Sequence, residues 1–181
     1  MARVPYVSRD ELEPEYRDLV VSSLQPGETL NVYSAIATNQ DVLYGLREFL
    51  GSLWNGSGLT DRQREIVILT AAAEMGSEYE WHQHVAIATD AGLESAEIAA
   101  IARDDHEPLA DEEAALVAYT RAVVRGRVTD PLHAAVLEYV DEETVVGAAS
   151  TAAGYAALGL IIDALGVEIE SDDVFVGWEP E

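Results

Sequence analysis

The segment from Gly76 to Gly92, GSEYEWHQHVAIATDAG, gathers two histidines, two carboxylates, a tyrosine and a tryptophan into its first nine residues, about two helical turns. Read as a helix, it places Glu80 and His84 at i and i+4, on one face, with Ser77 on the same stripe. Tyr79 and His82 are i and i+3. His82 and His84 are i and i+2, on opposite sides of a helix, and do not chelate by themselves. Three uses are open to a Glu80–His84 pair. The carboxylate can orient and charge the imidazole for proton transfer. The two can share a divalent metal. Or they form a solvated surface pair worth about 0.3–0.5 kcal/mol. Each neighbour also has a plainer reading: Glu80 as the N3 partner of a Ser77 capping box, His82 as a polar surface residue, Tyr79 and Trp81 as packing. His106 and His133 receive no role.

A second carboxylate bears on the cluster. Glu65 stands in DRQREIVIL, directly before Ile66-Val67-Ile68-Leu69. It falls near an apolar face, where a carboxylate requires a partner. Arg62 or Arg64 can supply it from the same helix. His84 can supply it from the next helix, which should run antiparallel.

Those side chains need helices to hold them, and nearly every segment reads as helix. No convincing period-two apolar run is bounded by turns. A first helix is expected over about 9–24, disturbed by Pro14 and ending before QPGET. A second region covers about 31–54, with a break at Thr38-Asn39, and NGSG at 55–58 is a loop. Thr60 and Gln63 form a capping box for a helix that ends at Gly76. Ser77 starts the next helix, with Glu80 at capping-box spacing, and Gly92 ends it. A short helix near 95–102, the loop RDDHEPLAD and a helix over about 111–126 follow. Asp130-Pro131 opens a helix over about 131–140. Asp141 opens the last and longest, which ends at Gly166. The acidic tail is expected to be irregular and to dock through Phe175 and Trp178. With no linker or repeat, one all-α domain spans 1–181.

Composition narrows the function classes. The chain has 34 acidic and 10 basic residues, net charge −24, and every base is arginine. Such a field repels nucleic acid and anionic membranes. A lysine-free acidic surface suits a cytoplasmic protein of a salt-loving organism, where screening removes self-repulsion. Cysteine is absent, which rules out thiol nucleophiles, thiolate metal sites and dithiol redox chemistry. The N-terminal stretch has no apolar core of a signal peptide. The uncharged eighteen-residue run from Val145 to Ile162 reaches the lower length of a membrane span. Its Ala, Gly, Ser and Thr content favours a buried, closely packed helix instead.

With these residues in view, REIVILTAAAEMGSEYEWHQHVAIATDAGL resembles the core motif of the carboxymuconolactone decarboxylase family, which includes the alkyl hydroperoxidase D-like proteins. Redox members of that family carry a helix-borne Glu, a Cys twelve residues on, a second Cys three further and a His four beyond that. In this chain those positions hold Glu65, Ser77, Glu80 and His84. NVYSAIATNQDVLYGLREFLGSLW is similar to the upstream helices of longer members, and GYAALGLIIDALGVEIE to their C-terminal helix, so the likeness covers about 30–170. It implies an all-α, orthogonal and antiparallel multi-helix bundle, assembled as a homo-oligomer (dimer, trimer or hexamer). It also implies a small-molecule active site in which Glu65, His84 and Glu80 are catalytic. Ser77, Tyr79, Trp81 and His82 surround them as substrate-binding residues. Because both cysteines are replaced, thiol peroxidase chemistry is not expected. What carries over is the Glu65–His84 pair, suited to proton transfer on a small lactone or carboxylic acid, as in the lyase branch. Two alternatives stand beside it. One is a metal enzyme with iron, manganese or zinc on Glu65, Glu80 and His84. The other is a non-catalytic oligomeric protein with a cavity for a small ligand. No arginine is evident beside the motif to grip a substrate carboxylate, though Arg62 and Arg64 are candidates.

Overall fold

The computed structural model describes residues 2–22, 27–170 and 173–178. Among the described residues, eight α-helices form the bundle: α1 Asn31–Ile36, α2 Gln40–Gly56, α3 Asp61–Met75, α4 Glu78–Asp90, α5 Ser95–Arg103, α6 Asp111–Val124, α7 Asp130–Leu137 and α8 Glu142–Leu165. Among the described residues, the sole β pairing is an isolated antiparallel bridge between Val21 and Thr29.

The centre is α3. Its residues from Arg64 to Ala72 are all buried, because α8, α6, α4 and α5 pack around it. A helix enclosed on all sides is apolar all round, and Ile66, Val67, Ile68, Leu69, Ala71 and Ala72 meet that demand. Its ends are set locally. The Thr60 amide donates to Gln63 Oε1 at 2.9 Å, and the Gln63 amide donates to Thr60 Oγ1 at 3.2 Å. Gly76, at φ 65°, closes the C-terminus in the left-handed conformation. Ser77 follows at once as N-cap of α4, so α3 and α4 form a tight helical hairpin.

The apolar helix α8 lies against α3, α6 and α2. It is long and apolar enough to cross a membrane by length and composition, and 56% of its most apolar window is buried within the bundle. Small residues let it approach closely. A methyl group added at Gly147 would stand 1.8 Å from the Ser57 carbonyl oxygen. At Gly154 it would meet Leu53 and Phe49, each at 2.9 Å.

Several local expectations are corrected. The first helix is not α-helical: two 3-10 turns, Arg9–Glu11 and Pro14–Val20, replace it, since Pro14 lacks the amide that would continue the first turn. Its expected end at 23–24 and the start of QPGET lie outside the described residues. NGSG is not wholly loop, as α2 runs through Gly56. The break near Thr38 is real, and Asn39 caps α2 by accepting from the Val42 amide at 3.2 Å. The N-cap of α7 is Thr129, one residue before Asp130. The tail packs as expected: Trp178 lies 5.0 Å from Trp81 between ring centroids, and Phe175 stacks on His82 at 6.2 Å.

Candidate active site

The α3–α4 hairpin brings Glu65 and His84 together in the interior. Glu65 is 0% and His84 4% exposed. Glu65 Oε2 lies 2.8 Å from His84 Nδ1. In the arrangement where the Glu65 oxygen accepts, Nδ1 carries the proton and donates. The far nitrogen, Nε2, is 3.8 Å from Glu80 Oε2, one turn back on α4. Glu80 is 4% exposed. The imidazole thus stands between two carboxylates, bonded to one and adjacent to the other.

The flanks fix this ring. The edge of the Tyr155 ring meets His84 at 5.2 Å and 88°. Trp54 lies 6.2 Å away, tilted by 38°. Trp54 Nε1 donates to the Tyr155 hydroxyl at 2.7 Å, leaving the hydroxyl proton free to donate elsewhere. Arg64 holds the other side. Its guanidinium carbon sits 3.9 Å from the Trp54 ring centroid, its Nε is 3.5 Å from Glu65 Oε1, and its Nη2 is 3.0 Å from Asp61.

His84, Glu80 and Tyr155 line a cavity of about 300 Å³, together with Trp54, Tyr33 and Arg47. The size suits a small organic molecule. Burial pushes the Glu80 carboxyl up to about 7, against the attraction of His84. For His84 burial is the largest single influence and lowers its basicity. The charge and hydrogen bond of Glu65, with the charge of Glu80, outweigh it and raise the ring above the ordinary histidine value. Burial and Glu80 likewise hold the Tyr155 hydroxyl far above its usual range. Near neutrality the site holds exchangeable protons on Glu80 and His84 and a phenol that stays protonated.

The structure sorts the expected site residues. Glu65, His84, Glu80 and Tyr79 come together. Tyr79 reaches the cavity wall and donates from its hydroxyl to Glu170 Oε1 at 2.7 Å. Three others turn away. Trp81 is fully buried and donates from Nε1 to the Gly177 carbonyl at 2.8 Å. His82 Nδ1 accepts from the Val176 amide at 3.0 Å. Both hold the C-terminal segment. Ser77 faces Gly159 of α8, and its Oγ is buried with no hydrogen-bond partner. The Ser77–Glu80 capping box does not form, because Glu80 turns inward to His84.

The three-ligand metal set is also corrected. Glu65 and Glu80 stand at opposite nitrogens of the His84 ring, so one ion on either nitrogen reaches only one of them. Among the described residues no group of three or more His, Asp and Glu is arranged to hold a metal ion. Arg62 is not a substrate grip either, since Glu97 and Glu113 hold it, each at 2.6 Å. The residues missed from sequence are Tyr155, Trp54, Tyr33 and Arg47. They lie in the stretches 31–54 and 154–170 that carry the wider likeness, where no spacing singled them out. The one usable signal was polar or aromatic side chains on otherwise apolar helices.

This geometry accords with the comparisons. Residues 40–124 match the model of the carboxymuconolactone decarboxylase family. That match spans α2 to α6. Among solved structures, it is similar to the alkylhydroperoxidase AhpD core of an uncharacterized peroxidase-related protein from Ralstonia eutropha JMP134. There the TM-score is 0.84 at 18% identity, covering 99% of this chain and 98% of that one. It is also similar to a cysteine-to-alanine variant of the debrominase Bmp8 in complex with 2,3,4-tribromopyrrole. That match has a TM-score of 0.74 at 15% identity, over 94% and 95% of the two chains. At such identities the likeness shows the fold, an all-α AhpD-like bundle. No curated protein matches.

Proposed function

We propose that this chain is an acid–base enzyme acting on a small lactone or carboxylic acid, with His84 as proton carrier and Glu65 as the residue that orients and charges it. The observation that carries the reading is the buried 2.8 Å Glu65–His84 bond, with the opposite ring nitrogen beside Glu80 at the wall of a cavity of about 300 Å³.

The steps follow from the proton positions. With Nδ1–H bonded to Glu65, Nε2 is free to take a proton from a carbon next to a carbonyl. The C–H electron pair passes into an enolate. The Tyr155 hydroxyl, whose oxygen already accepts from Trp54, has a proton to offer that oxygen. The imidazolium, stabilised by the Glu65 carboxylate, then returns the proton to the same or a conjugated carbon. For a decarboxylation, the C–C bond electrons stay on the substrate carbon as CO2 departs, and the imidazolium protonates that carbon. Neither course uses an oxidant or a reductant. Thiol peroxidase chemistry has no residue to run on, since cysteine is absent. The related debrominase holds a small brominated pyrrole, which supports a small ring as the kind of molecule this cavity accepts.

The test is solvent-deuterium exchange into a set of γ-lactones and small carboxylic acids, followed by NMR. The wild type should catalyse exchange into at least one. His84→Gln should slow it by about 100-fold or more, within the usual range for loss of a general acid–base group. Glu65→Gln should retain intermediate activity. Exchange left intact in His84→Gln, or absent across the set in the wild type, would overturn the reading.

A further inference from the structure

Arg47 belongs to no motif, yet it lines the same cavity as His84 and Glu80. It is half-buried on α2. Its guanidinium carbon lies 4.3 Å from the Tyr33 ring centroid, and its Nη2 donates to the Val21 carbonyl at a long 3.4 Å. The other interior arginines are committed. Arg62 pairs with Glu97 and Glu113, Arg64 with Asp61 and Glu65, and Arg121 with Glu74 and Asp104. Among the described residues, Arg47 has no carboxylate within ion-pair distance. This occurs in a chain with 34 acids, where an acidic partner is easy to find. Of the described residues lining the cavity, Arg47 alone carries a permanent positive charge.

We propose that Arg47 is the anion anchor of this site, and that the substrate is a small monocarboxylate whose carboxylate lies on the Arg47 guanidinium while its reacting carbon faces His84 and Glu80. The inference deepens the acid–base reading and rests on it for the identity of the reacting end. Tyr33 joins the two ends of the cavity: its ring lies under Arg47, and its hydroxyl is subject to the charges of both Arg47 and Glu80. A guanidinium presents a planar fork that matches a carboxylate with two parallel hydrogen bonds. A net charge of −24 repels anions at long range, so an anionic substrate requires a cation at its docking point. The anchor also bears on the reaction. Loss of CO2 drains negative charge from the departing carboxylate, and a guanidinium bound to that group opposes the drain. The carboxylate on Arg47 is therefore the one retained, so for a monocarboxylate the proposal selects proton transfer at carbon and sets aside the decarboxylation course.

The experiment is calorimetric binding of paraconate, a γ-lactone bearing one carboxylate, together with acetate, benzoate and levulinate. The methyl esters of the same acids serve as neutral controls. Wild type, Arg47→Met, Arg47→Lys and His84→Gln are compared, each with its melting curve. The wild type should bind at least one acid about tenfold or more tightly than its ester, a difference one charge-assisted contact can supply. Arg47→Met should lose that preference at unchanged ester affinity, and Arg47→Lys should restore part of it. His84→Gln should keep the preference, because the anchor is separate from the proton carrier. Exchange activity absent while the acid preference depends on Arg47 would uphold the anchor and sink the acid–base reading. Esters binding as well as acids, a preference that survives in a folded Arg47→Met, or no binding by any acid would overturn the anchor. If Arg47→Met does not fold, Arg47→Lys decides: an undiminished ester affinity with a weakened acid affinity supports the proposal, and equal loss of both overturns it.

Discussion

Glu65 and His84 are nineteen residues apart in the chain and 2.8 Å apart in the structure. Each is enclosed, and the bond joins Glu65 Oε2 to His84 Nδ1, while Glu65 Oε1 is buried without a hydrogen-bond partner. Glu65 faces His84 with one oxygen and Arg64 with the other. Removing one member leaves a buried charge uncompensated, which typically costs about 3–5 kcal/mol. Glu65→Ala should lose about that much in urea unfolding, whereas Glu65→Gln, which keeps the shape and one acceptor, should lose less. Equal stability of wild type and Glu65→Ala would contradict the buried pairing.

Glu80 and His84 make stability depend on pH in a defined window. The Glu80 carboxyl is raised by burial to about 7, so between about 4.5 and 7 the folded chain binds more protons than the unfolded chain. Stability from this group therefore falls as pH rises through that range. His84 is raised above the ordinary histidine value. Its contribution is complete below about 6.5 and is lost as pH climbs through its folded value. Both act in the same direction. Urea midpoints should fall from pH 5 to pH 8, and Glu80→Gln should flatten a large part of the slope. A slope identical in wild type and Glu80→Gln would show that Glu80 ionises normally.

Two glycines on neighbouring helices should respond oppositely to alanine. At Gly147 the new methyl would stand 1.8 Å from the backbone oxygen of Ser57. Backbone must move, and overpacking of this kind costs about 1–3 kcal/mol or more. At Gly45, in the exposed interior of α2, nothing lies within 4 Å, so alanine should stabilise by about 0.5–1 kcal/mol. Thermal melts of the two variants, run side by side, check both signs.

Ser77 provides a further test because its hydroxyl is buried without a partner. Ser77→Ala should be neutral or stabilising by about 1 kcal/mol, since it deletes an unsatisfied polar group. A helix cap would behave in the opposite way, and loss of about 1 kcal/mol would restore the capping role. Exchange activity should be unaffected.

Glu170 ties the chain beyond α8 to the cavity wall. It accepts from the Tyr79 hydroxyl at 2.7 Å, from Gln83 Nε2 at 2.7 Å and from the Asn31 amide at 2.8 Å. Glu170→Ala should cost about 1.5–3 kcal/mol, the range for hydrogen bonds to a charged group. It should also loosen Tyr79, seen as faster proteolysis of the C-terminal segment.

Much of the fold was legible in the chain. Capping residues and left-handed glycines are local devices, so Thr60–Gln63, Asn39, Asp141, Gly76 and Gly166 marked helix ends within a residue or so. The same local logic failed where a competing contact lay elsewhere. Ser77–Glu80 had the spacing of a cap, but a carboxylate one turn from a buried histidine gains more by facing it. Tyr79, Trp81 and His82 looked alike as members of one cluster. Their position around α4 sends Tyr79 to the cavity and the other two to the C-terminal segment.

By itself the sequence determined an all-helical chain without thiol chemistry, and it singled out Glu65, Glu80 and His84, which the fold brings together. Their types and their twelve-, three- and four-residue spacing are properties of one helical hairpin, which local geometry sets. Only the tertiary structure decided that the two carboxylates face opposite nitrogens of His84, which divides the trio as metal ligands. It alone brought Arg47 and Tyr33 from the N-terminal helices, and Tyr155 from α8, to the same cavity. Those three are far apart along the chain. Their meeting depends on how α1, α2, α4 and α8 pack around α3, and no spacing in the sequence encodes it.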